Sequence, residues 1–143
     1  MDVRIFPKPS QYLEETRLVH QSRLWARYKR RLGWSALAFD IEASGLPAGD
    51  MLVVWRYVGG DASIAYVPYG PEARPMDGEQ GAYLAALAEC LRPHLPPGCL
   101  FVRWDLPWES PYADDPGRYD EEGHWLGAPE TRIREARMNF GVR

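Results

Sequence analysis

The chain has 143 residues, 45% of them apolar and six of them tryptophan, with a formal net charge of −3. That length suits one ordinary domain able to bury a core without metal or disulfide staples, and the acidic balance argues against a general nucleic-acid binder. No uncharged apolar run approaches the roughly 20 residues a bilayer span requires, and the N-terminus lacks a signal-type apolar stretch, so a soluble, cytoplasmic protein is expected.

Charge is unevenly spread. Arg17, Arg23, Arg27, Lys29, Arg30 and Arg31 lie together with no acid among them, whereas residues 105–130 are dominated by aspartate and glutamate. A local basic face can meet an anionic ligand on a molecule that is acidic as a whole. Cys90 and Cys99 have no metal-ligand spacing and read as small buried residues of a reducing compartment.

Residues 3–6 read as a short extended segment closed by Pro7 and Pro9, and residues 10–16 as a helical turn. Ser22 is a suitable N-cap for a helix over residues 23–32, which sets Leu24, Trp25, Tyr28 and Leu32 at helical spacing and puts Gly33 where a left-handed C-cap is wanted. Residues 34–43 then alternate, with Leu37, Phe39 and Ile41 on one face. A Gly/Pro turn leads to a second strand over 51–58, and Gly59-Gly60-Asp61 leads to a third over 62–69.

A second helix is predicted over 79–95, its stripe formed by Tyr83, Leu84, Leu87, Ala88 and Leu91. It is the crossover that a parallel pairing requires before the run Phe101-Val102-Arg103-Trp104-Asp105-Leu106-Pro107-Trp108, which reads as an inner strand stopped by Pro107. Residues 108–130 follow neither period, and residues 131–142 suggest a final short strand. The resulting class is α/β (α+β): one domain with a mixed sheet flanked by helices.

Chemical candidates are few. His20, His94 and His124 are scattered and read as exposed or capping residues, no metal spacing is present, and Val58-Gly59-Gly60-Asp61 lies between strands rather than before a helix, where a phosphate cradle belongs. The βββαβ order resembles acyl-CoA-dependent N-acetyltransferases, but their Gln/Arg-x-x-Gly-x-Gly/Ala run is missing. Lys29 is the most suggestive cation, a point charge suited to phosphate. Tyr66 and Tyr69 sit on a rigid turn at a strand end, and Arg103 and Asp105 stand at the mouth of the sheet, where open α/β folds place ligands.

Three segments together resemble the FemABX family of aminoacyltransferases. They are Gln21-Ser22 with Trp25-Ala26 and Lys29, then Tyr66-Val67-Pro68-Tyr69-Gly70-Pro71, then Arg103-Trp104-Asp105, similar to that family's Gln-Ser/Asp-x-x-Trp-Ala-x-x-Lys helix, Tyr-x-x-x-Gly-Pro turn and Arg-x-Asp-Pro strand end. Leu106 stands where the family has its proline.

The resemblance implies an acetyltransferase-like (GNAT-like) half-domain acting in peptidoglycan biosynthesis. Such enzymes move an amino acid from aminoacyl-tRNA to the stem-peptide amine of a UDP-muramoyl pentapeptide or its lipid-linked form, with aminoacyl-tRNA as co-substrate and no other cofactor. It implies that Lys29 contacts a precursor phosphate, that Trp34, Tyr66, Tyr69 and Arg103 line the substrate, and that Asp105 lies near the attacking amine. It further implies a second half, from a partner chain or self-association. Two rival expectations are a non-catalytic binding module retaining the fold and an acyl-CoA N-acyltransferase.

Overall fold

The computed structural model describes residues 1–109 and 116–126, and the expected strand near residues 131–142 lies outside them. One five-stranded mixed sheet carries two helices. Its elements are β1 (Val3–Lys8), α1 (Arg23–Arg31), β2 (Ser35–Ala43), β3 (Gly49–Gly59), β4 (Ala62–Val67), α2 (Gln80–Leu91) and β5 (Cys99–Trp104). Strand order follows chain order. Each neighbouring pair is antiparallel except β4 and β5, which run parallel across the α2 crossover.

Period-two patterning explains the two faces. Phe39, Ile41, Met51, Val53 and Val67 pack on one side against Tyr83, Leu84, Leu87 and Leu91 of α2. Ala38, Leu52 and Val54 pack on the other against Leu13 and Ala26, joined by Trp25, Trp34 and Tyr66. The middle strand, β3, is therefore covered on both sides, with residues 51–54 fully buried.

Several sequence expectations are corrected. The run at residue 101 is an edge strand among the described residues, with Leu100 63% and Phe101 53% exposed; its apolar composition resembled an inner strand, but the doubly covered strand is β3. Strand β1 continues through Pro7 to Lys8, because an edge strand tolerates a residue with no ladder donor. Of the residues set at helical spacing on α1, Trp25 packs beside the buried Ala26, whereas Leu24, Tyr28 and Leu32 stay exposed. The third strand ends at Val67, since Pro68 cannot donate and Tyr69 takes a positive φ of 48° before the cis Gly70–Pro71 bond.

Helix α2 stops at Leu91 and passes into a 3₁₀ turn over Arg92–His94 that accommodates Pro93. Both cysteines are half-buried rather than buried, and burial pushes the Cys90 thiol above its usual range. No helix among the described residues is long and apolar enough to cross a membrane.

Candidate functional site

The site begins where the β3–β4 ladder fails. Pro68 has no N–H, so the position beside Leu52 cannot be paired by backbone alone. The buried Gln21 side chain takes its place: Leu52 N donates to Gln21 Oε1 at 2.8 Å, and Gln21 Nε2 donates to the Pro68 carbonyl at 2.5 Å and the Leu52 carbonyl at 3.3 Å. The segment before α1 is thereby stitched to the β4 end.

Helix α1 starts two residues later. Ser22 Oγ accepts from Trp25 N at 3.2 Å as the N-cap, and Gly33, at φ 88°, reverses the chain so that Trp34 N donates to the Lys29 carbonyl at 3.0 Å. This turn brings the Trp34 ring beside the lysine. Lys29 Nζ lies 4.8 Å from the Trp34 centroid and 5.4 Å from that of Trp25, and the Arg56 guanidinium carbon is also 4.8 Å from Trp34. Neither cation is ion-paired among the described residues, so two positive groups share one indole without a neutralising acid.

The neighbouring half of the site is built on β4 and β5. Asp105 N donates to the Val67 carbonyl at 3.1 Å and Gly70 N to the Asp105 carbonyl at 3.0 Å, which extends the parallel pairing past both strand ends. The Asp105 carboxylate accepts from Tyr66 Oη at 2.5 Å and from Arg103 Nε at 3.3 Å, while the Arg103 guanidinium lies over the Tyr66 ring. With the Arg103 side chain 67% exposed, this ion pair is worth at most about 1 kcal/mol. Tyr69 stacks on His20, whose ring also meets Trp25 edge-on.

Lys29, Trp34, Tyr66, Arg103 and Asp105 therefore lie on the α1 side of the sheet, with Tyr69 at its rim. Two open hollows of about 370 and 330 Å³ lie elsewhere, around Glu14, Ile41, Ala48 and Gly49, and neither is lined by those residues. Gln21, His20 and Arg56 are the contributors that residue-by-residue reading missed as site members. Arg56 had a signal, because it follows Leu52 and Val54 at period two on β3 and so faces α1.

Among the described residues Asp120, Glu122 and His124 bring three metal-type donor atoms within 4.8 Å of one another. These exposed or half-buried groups sit on the acidic excursion, where Asp120 already pairs with His124.

Burial, with the hydrogen bond to Asp105 second, pushes the Tyr66 phenol from 10.0 up to about 12; burial alone does the same to Tyr83. Because the folded value is raised, the stability contributed by the protonated phenol is complete below pH 10.0 and is lost as pH climbs towards about 12. A spectrophotometric titration should show Tyr66 and Tyr83 among the late-ionising phenols, and Tyr66→Phe should delete one of that class. An unchanged late class in that variant would remove Tyr66 from the assignment.

Compared with known proteins, the chain matches no protein-family model, no curated protein and no solved structure. The class defined by the structure is thus a mixed α/β domain whose one sheet face gathers cations, aromatic rings and a carboxylate.

Proposed function

We propose that this domain is the precursor-binding half of a FemABX-type aminoacyltransferase, built on a GNAT-like sheet and working in peptidoglycan biosynthesis. The observation that carries the reading is the convergence of three segments distant in sequence on one sheet face, linked by the Gln21 stitch, the Tyr66–Asp105 bond and the indoles around Lys29. The antiparallel run β1 to β4 followed by a helical crossover into parallel β5 is compatible with it.

In this reading the paired cations Lys29 and Arg56 receive the diphosphate of a UDP-muramoyl pentapeptide or its lipid-linked form, and Trp34, Tyr66, Tyr69 and Arg103 line the rest of the ligand. The acceptor amine attacks the ester carbonyl of aminoacyl-tRNA, an N–C bond forms, and the C–O bond to the terminal ribose breaks. The proton lost by the amine passes to the departing hydroxyl. Asp105, held by Tyr66 and Arg103, retains lone pairs that orient the amine. Aminolysis of an activated ester needs positioning rather than a covalent nucleophile, which suits a face with no nucleophile triad. A second half, from a partner or another copy, completes the enzyme.

Calorimetric titration with UDP-muramoyl pentapeptide tests the proposal. Wild type should bind, Lys29→Ala should bind at least about tenfold more weakly through loss of a charge-assisted contact, and Asp105→Asn should bind nearly as well as wild type. Absence of binding by a folded wild-type protein overturns the reading. A thermal shift with acetyl-CoA in its place would move the assignment to an acyl-CoA enzyme.

A further inference from the structure

The outward side of α1 carries two adjoining ridges. Residues four apart lie one above the other on a helix, so Arg23, Arg27 and Arg31 form one row, and Leu24 and Tyr28 with Leu32, the residue that caps the helix end, form the next. All six are exposed, the apolar three by 62%, 48% and 56% respectively. Ala26 is buried against the sheet, and Arg30, though exposed, donates to Ser10 Oγ and the Ala36 carbonyl. Among the described residues none of the outer arginines meets a carboxylate.

A solvated helix face has no reason to expose two leucines and a tyrosine in register, and a core-facing one would not carry an uncompensated arginine row. We infer that this double ridge seats the domain peripherally on a bilayer bearing anionic headgroups. The leucines enter the headgroup–acyl boundary along about 12 Å of helix, Tyr28 sits at headgroup depth, and the arginines meet the lipid phosphates.

Charge complementarity selects this occupant. The protein carries a net charge of −3, so an anionic surface repels most of it and attracts this face, which fixes the orientation of docking. RNA would satisfy the arginines but leave Leu24 and Leu32 in water. A second copy would oppose arginine row to arginine row. The inference stands on α1 alone and does not depend on the substrate assigned above.

Flotation of the full chain with vesicles tests it, using two parts phosphatidylcholine to one part phosphatidylglycerol and, in parallel, phosphatidylcholine alone. The protein should float with the anionic vesicles, float far less with the neutral ones, and be released by high salt. Each arginine removed should weaken partitioning about fivefold, so Arg27→Gln with Arg31→Gln should cost about twenty-five-fold. Leu24→Ser with Leu32→Ser should cost at least tenfold. These positions are exposed, and unchanged melting curves check that the variants fold.

No flotation with anionic vesicles by the wild type overturns the inference, as does flotation unaffected by both double variants. Capture of an RNA duplex that survives the leucine changes, in a protein that ignores vesicles, would assign the face to nucleic acid. A dimer in sedimentation that Leu24→Ser with Leu32→Ser dissociates, without vesicle binding, would assign it to self-association.

Discussion

Replacing Gln21 with leucine should cost about 3 kcal/mol of unfolding free energy and lower the melting temperature by roughly 10 °C. Leucine fills similar volume but can neither accept from Leu52 N nor donate to the Pro68 carbonyl, leaving both buried groups unpaired. Each such group costs about 1–3 kcal/mol, far beyond the net worth of an ordinary hydrogen bond. The damage should spread to the precursor binding proposed above, because the same amide holds the β4 end against the segment leading into α1. Denaturant unfolding measures the loss, and a change below about 1 kcal/mol would show that water substitutes for the amide.

Gly98→Ala should be at least as harmful, at about 3 kcal/mol or more. A methyl group there would run into the Asp61 carbonyl oxygen and carbon. That obstacle is backbone on both sides: Asp61 ends the tight β3–β4 turn beside Gly60 at φ 53°, and Gly98 is tied to β4 through the bond from Ser63 N to its carbonyl. Neither segment can yield as a flexible side chain would. Gly59→Ala is the control, since an added Cβ meets nothing within 4 Å there, and it should fall within about 0.5 kcal/mol of wild type. Equal unfolding midpoints for the two variants would refute the argument.

Local periodicity made much of this fold legible. Tyr83, Leu84, Leu87 and Leu91 are the buried face of α2, and Leu37, Phe39 and Ile41 do pack on one side of β2, because both patterns repeat at the period of the element that bears them. The same logic did not orient α1. Leu24, Tyr28 and Leu32 form a regular stripe, but a stripe does not say which side the sheet occupies, and the small Ala26 allows the closer approach. The edge position of β5 depends on which strands pair, a property its own residues do not carry.

The candidate site was legible in its charged and aromatic members and obscure in its connections. Lys29, Trp34, Tyr66, Arg103 and Asp105 were identifiable by residue type at helix and strand ends. Gln21 as a structural tie was not, because its need arises from Pro68, 47 positions further along, where a proline interrupts a ladder whose register only the fold reveals. His20 is similar: an isolated histidine looks expendable until Tyr69, turned by its positive φ, is found stacked on it.

The extension of the β4–β5 pairing through Asp105 and Gly70 closes the gap between these two strands. Strands joined to their tips leave nothing to thread between β4 and β5, so the precursor proposed above would lie across the sheet face rather than enter between these two strands. Recognition of that kind draws on charge and stacking more than on enclosure. Its strength should therefore fall steeply with ionic strength, and any fuller grip must come from a second surface closing over the first.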